Sequence, residues 1–186
     1  MRRTRLGLLV LALLLVFYLV TSHNGLVGAD QRVRTAWSQV ENQLQRRYDL
    51  IPNLVSTVRA YAQHEQEVFT AVADARARLA GARSVDETAA ATDALEGVLG
   101  RLLVVVEAYP ELKASASFIA LQDELAGTEN RLAVARMRYN ELVQSYNVRA
   151  RSVPTVFLVG LLGFEREKPF FEVQSDSARR APPIGF

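Results

Sequence analysis

The chain has 186 residues, 49% of them hydrophobic, and 22 Lys and Arg stand against 20 Asp and Glu for a net charge of +2. That apolar content excludes a largely disordered chain. Arginines interleaved with carboxylates, as Arg131, Arg136 and Arg138 are with Glu124, Glu129 and Glu141, exclude nucleic acid as a main partner. The chain has no cysteine, which rules out disulfides, thiol chemistry and a lipid-modified cysteine anchor.

The first element is an uninterrupted apolar run, residues 6–20 (LGLLVLALLLVFYLV), behind a basic flank, residues 1–5, that carries Arg2, Arg3 and Arg5. A helix crossing a ~30 Å hydrocarbon core wants about 20 residues, so the run is short. It reaches spanning length if the helix continues to residue 28, with Tyr18 near one interface and arginine stems snorkelling at the other. A retained anchor over residues 6–28 is the reading adopted. The small residues Val27-Gly28-Ala29 before Asp30 also suit a signal peptidase, which keeps cleavage open as the competing reading. Three arginines before the run against Arg32 and Arg34 after it favour a cytoplasmic N-terminus and an extracytoplasmic body, in a single-pass arrangement in the cell (inner, cytoplasmic) membrane.

The body, residues 29–173, is long enough for one domain with its own core. Its apolar period is helical throughout. A first stripe runs Val33, Trp37, Val40, Leu44. Pro52 lacks an N–H and disfavours helix at Ile51, so the first helix is expected to end or kink near residues 49–51, with Pro52 in the first turn of the next. After Pro52 the stripe resumes through Val55, Val58, Ala62, Phe69, Val72 and Leu79, and Gly81 stops it. Ser84-Val85-Asp86-Glu87 reads as a capping box that opens a third helix at about Val85, with Leu95, Val98, Leu102, Val105 and Tyr109 on one side. Pro110 ends it, and residues 111–117 connect to a long fourth helix. That helix carries Phe118, Leu121, Leu125, Leu132, Ala135, Tyr139, Leu142 and Tyr146 on one seam, interrupted only by Thr128, and ends at about Arg151 before Pro154.

Four such helices bury their stripes only against one another. The expected fold is all-α, an antiparallel up-down four-helix bundle on an N-terminal single-pass membrane helix. Residues 153–164 (VPTVFLVGLLGF) are apolar but too short to span; they are expected to fold back on the bundle, the alternative being a surface for a partner or lipid. Residues 174–186, with Pro182-Pro183 and Arg179-Arg180, read as a flexible tail.

Several of these stretches together carry a resemblance: AWSQVENQL at 36–44, RRYDLIPNLV at 46–55, AYAQHE at 60–65, YPELK at 109–113, LQDEL at 121–125, TENR at 128–131 and Tyr139-Asn140. With Gly163-Phe164 and Phe170-Phe171-Glu172 they resemble the LemA family over nearly all of residues 24–172. The resemblance implies a single-pass membrane protein with a four-helix bundle. It implies no established activity, and no catalytic residue or cofactor to carry over.

The sequence carries little recognisable catalytic chemistry. His64 and Glu67 are spaced to share a helix face as metal ligands do, but the second histidine of a zinc protease motif and a third ligand are lacking. No phosphate loop and no nucleophile beside a base is present, so no enzyme, cofactor or metal is expected. The charged group Arg46, Arg47 and Asp49 before Pro52 reads first as a local tie at a helix end, and as a candidate interaction corner for a partner. Trp37, the sole tryptophan, is a core residue or an interface anchor. Glu129, Asn130 and Asn140 are placed to bond across helices with Glu41 and Asn42. The expected function is a membrane-anchored scaffold or adaptor of the cell envelope. Its partners are the lipid bilayer through residues 6–28, other envelope proteins and a second copy of the chain. The alternative is an accessory or regulatory subunit of an envelope protease or another membrane enzyme.

Overall fold

The computed structural model describes the backbone of residues 2–172 and the side chains of residues 5–172. The side chains of Arg2 and Arg3 and the expected tail at 174–186 lie outside the described residues. The chain is all-helical: α1 (Arg2–Arg59), α2 (Gln66–Gly81), α3 (Val85–Glu107), α4 (Pro110–Lys113) and α5 (Ala116–Arg151), followed by a 3-10 turn at Thr155–Phe157. No strand occurs among the described residues.

The helix end expected at residues 49–51 does not form. Helix α1 runs through Pro52 to Arg59, although an interior proline costs a helix about 3 kcal/mol. Burial explains it. Ile51, Leu54 and Val58 are 0%, 1% and 0% exposed on one face of the helix while Pro52 faces solvent. Each such side chain is worth about 1.5–3 kcal/mol when fully buried, so the continuous stripe outweighs the lost bond. The helix stops instead at residues 60–65, where Ala62 is fully buried and its N–H donates to the Val58 carbonyl at 2.9 Å. Helix α2 starts at Gln66 with no side-chain cap.

The capping box forms at the expected place. Ser84 Oγ accepts from Glu87 N at 3.1 Å, and Glu87 Oε2 accepts from the backbone N–H of Arg83 at 2.8 Å, one residue earlier than the standard pairing. Residues 111–117, expected as a plain connection, contain α4, with Pro110 in its first turn and Leu112 fully buried. Ser115 Oγ then accepts from Phe118 N at 3.2 Å and caps the start of α5. Thr128 does not interrupt the α5 seam. It is 1% exposed and its hydroxyl donates to the Leu125 carbonyl at 2.7 Å, so its polar atom is satisfied within the helix.

The contacts divide the chain into two compact units. One holds Val40–Arg136 with the described part of Pro169–Phe186. Its apolar core draws Ile51 and Leu54 from α1, Phe69 and Val72 from α2, Leu95 and Leu102 from α3, Leu112 from α4 and Phe118 from α5. The other holds Met1–Gln39 with Met137–Lys168. It buries Leu26, Val33 and Ala36 of α1 and Tyr139, Val143 and Tyr146 of α5. In this unit residues 153–164 fold back in part: Thr155 and Val159 are buried, whereas Val153, Phe157 and Leu161 are 76%, 77% and 83% exposed. The large apolar side chains of residues 6–17 are exposed along α1, which is the one helix among the described residues long and apolar enough to cross a membrane.

Candidate functional site

The Val40–Arg136 unit holds a partly buried ionic cluster. Arg47, 7% exposed on α1, points its Nη1 at Glu96 of α3 at 3.3 Å and at Glu129 of α5. Arg136 of α5 donates from Nη2 to the same Glu96 oxygen at 3.1 Å, and its guanidinium lies over the Phe171 ring, 4.9 Å from the centroid. Burial lowers the pKa of Arg47; the Glu96 charge opposes that shift and the Arg136 charge adds to it. Two guanidiniums sharing one carboxylate between three helices lock helix register.

The candidate corner is therefore divided. Arg47 belongs to the core cluster, while Arg46 and Asp49 face solvent, with Asp49 accepting from Gln45 Nε2 at 2.8 Å. The chain does not turn there, because α1 continues for ten more residues, from 50 to Arg59. Tyr48, next to this group, lies under Arg76 of α2, whose guanidinium is 4.1 Å from the ring centroid. Of the polar residues expected to bridge helices, Glu129 does so through Arg47, whereas Asn42 and Asn130 are exposed.

An open groove of about 760 Å³ lies between the end of α1 and α2. Ile51, Val55 and Phe69 line it with apolar surface, and Arg59 and Arg76 contribute guanidiniums. Arg59 sits 4.9 Å from the Phe69 ring centroid. Apolar walls with cationic corners suit an apolar segment that carries a carboxylate. His64 lies exposed in the 60–65 turn and Glu67 in α2, so the helix face they were expected to share does not form. Among the described residues no group of three His, Asp or Glu side chains is placed to hold a metal.

In the other unit Trp37 is half-buried and packs its ring on Tyr139, with centroids 5.2 Å apart at 57°. A polar knot ties the segment after α5 back to both helices. Lys168 Nζ donates to Asp30 at 2.8 Å and to Glu165 at 3.2 Å. Asn147 bonds the Lys168 backbone twice, from Nδ2 to the carbonyl at 3.0 Å and from the N–H to Oδ1 at 2.7 Å, and the Tyr146 hydroxyl donates to the Glu165 carbonyl at 2.7 Å. Burial alone would lower the Lys168 pKa. Its hydrogen bonds to Asp30 and Glu165, with their charges, outweigh that and raise it. Burial raises the pKa of Tyr146, against the Lys168 charge and with those of Asp30 and Glu165. Glu96 and Lys168 did not stand out in the sequence, and Arg136 and Asp30 did so only as a charge among interleaved charges and as the residue after Val27-Gly28-Ala29.

Comparison with known proteins sets these features in a family. The chain is 25% identical over 180 residues to magnetosome protein MamQ 2 of Paramagnetospirillum magneticum, an alignment that covers 83% of this chain and 66% of the relative, just under two thirds of its length. It is 25% identical over 197 residues to magnetosome protein MamQ of Magnetospirillum gryphiswaldense, covering 90% of this chain and 72% of that one. To protein LemA of Metamycoplasma hominis it is 23% identical over 133 residues, covering 70% and 60%. The description of the LemA family as a whole matches residues 36–186, from the residue before Trp37 through the Arg47 cluster and Lys168. With most of its length matched, the chain belongs to the LemA family.

Proposed function

We propose that this protein is a single-pass membrane-anchored scaffold or adaptor of the cell envelope, whose helices form an up-down four-helix bundle and which acts by contact rather than by turnover. The observation that carries the reading is the continuity of α1. One unbroken helix bears the exposed apolar side chains of residues 6–17 and, further along, the fully buried Leu26, Val40, Ile51 and Val58. Exposed apolar surface of that extent belongs in lipid, and the same helix then enters a packed core. The basic residues before the run favour a cytoplasmic N-terminus with the body on the far side. Docking to other envelope proteins falls to exposed polar positions such as Arg46 and Asp49, which lie three residues apart on one helix face. Arg47 instead holds that face in place.

A second reading, an accessory subunit of an envelope protease or other membrane enzyme, draws on the groove with Arg59 and Arg76, which would take one specific partner segment. Crosslinking in intact membranes followed by mass spectrometry tests both. A scaffold yields several envelope proteins, or a second copy, whose recovery falls in Arg46→Ala/Asp49→Ala. An accessory subunit yields one stoichiometric enzyme, lost in Arg59→Ala/Arg76→Ala. No crosslinked protein from either wild type or variants refutes the contact-based reading.

A further inference from the structure

The apolar run of α1 is too short for the span assigned to it. Fifteen residues at ~1.5 Å per residue cover about 22 Å of a ~30 Å hydrocarbon core. The helix then meets Thr21, Ser22, His23 and Asn24, side chains that a bilayer interior excludes when they stand bare. In this structure the end of α5 and the segment that follows it touch α1 on either side of that stretch, while Thr21, His23 and Asn24 stay exposed. The hydroxyl of Tyr18, at the end of the run, is 3.2 Å from Thr155 Oγ1. His23 packs its ring on Phe164, with centroids 5.5 Å apart, and Arg149 Nη1 donates to the Gly25 carbonyl at 2.7 Å. Residues 153–164 thus lie against α1 at the level where its apolar surface ends.

That segment has two sides. Thr155 and Val159 are buried, while Val153, Phe157 and Leu161, every fourth residue, are more than three quarters exposed. Three large apolar side chains displayed to water on one short loop are unusual for a soluble surface. The helix that the segment touches carries its own exposed apolar side chains as far as Val20.

We propose that residues 153–164 are a second membrane element, which inserts Val153, Phe157 and Leu161 into the leaflet through which α1 leaves the bilayer. The loop then forms an apolar collar that adds apolar surface beside the short span at the level where α1 leaves the bilayer. The proposal rests on α1 crossing the membrane. It adds that lipid contact comes from the segment after α5 as well as from α1, so that depth is set by the Tyr18–Thr155 and Arg149–Gly25 contacts rather than by the helix alone.

The chain contains no cysteine, so single nitroxide labels report without a background mutant. The full chain carrying Phe157→Cys or Leu161→Cys is reconstituted in phosphatidylcholine–phosphatidylglycerol vesicles, with Leu13→Cys as the in-span reference and the exposed His64→Cys as the water reference. The expected result is that labels at 157 and 161 match Leu13→Cys: open to oxygen, closed to a water-soluble nickel chelate, with a ratio several-fold above that of His64→Cys. Nickel access at 157 and 161 equal to that of His64→Cys, with Leu13→Cys still lipid-like, overturns the collar and leaves the anchor intact. Nickel access at Leu13→Cys removes the anchor and the collar together. Labels at 157 and 161 closed to both reagents and broadened by spin–spin coupling show a second copy in place of lipid, and also overturn the collar.

Discussion

Replacing Arg47 with methionine keeps much of the buried stem and removes the charge. Glu96 retains Arg136 at 3.1 Å, but Glu129 loses Arg47, the partner that holds it across the helices. Breaking a buried pair from one side costs about 3–5 kcal/mol. The carboxylates are 33% and 37% exposed, so water relieves part of this, and about 2–3 kcal/mol is expected. For a chain of this size that is a fall of roughly 4–12 °C in Tm. Circular dichroism melts of the full chain in detergent measure it, with Arg46→Met as the neighbouring control, expected within about 0.5 kcal/mol of wild type. Adding Glu129→Gln to Arg47→Met removes the stranded charge and should recover a large part of the loss. A shift in Arg47→Met no larger than that in Arg46→Met, or no recovery in the double variant, would refute the cluster as a register lock.

Leu132, fully buried on α5, should lose about 2–5 kcal/mol on change to alanine, and half-buried Leu125 distinctly less, as read from denaturant midpoints; equal losses would contradict the helix facing. Ser84→Ala removes the oxygen that accepts from Glu87 N and should cost about 1 kcal/mol in the same assay. The raised pKa values of Lys168 and Tyr146 make the fold labile to alkali. The stabilisation is complete below the unfolded values of about 10.4 and 10 and is lost as pH rises through the higher folded values. Melts between neutral pH and the alkaline limit should show Tm falling above about pH 10, with Lys168→Met flattening that decline; an unchanged alkaline limb would remove the Asp30–Lys168 pair from the account.

How far the fold was legible depended on which force decided each element. Periodicity located α3 and α5, because their stripes are long and their ends carry local signals in Ser84, Pro110 and Pro154. It failed at Pro52, where a local rule worth about 3 kcal/mol lost to the tertiary burial of Ile51, Leu54 and Val58. The real interruption at residues 60–65 contains neither glycine nor proline, so nothing local announces it. Arg47 was within reach of the sequence: Leu44, Arg47, Ile51, Leu54 and Val58 follow steps of three and four, which places the arginine on the buried face and Arg46 off it. A charged residue on an apolar stripe asks for buried partners. Which partners, Glu96 and Glu129, depends on how three helices meet, and the pairing of Asp30 with Lys168 joins residues far apart in the chain by a loop with no period.

The central claim is that one helix both anchors the protein in a bilayer and enters its packed body. Intact-mass analysis of carbonate-washed membranes against the soluble fraction tests it most directly. The account predicts protein in the membrane fraction whose mass includes residues 6–28. Protein in the soluble fraction with its N-terminus at Asp30 would contradict it.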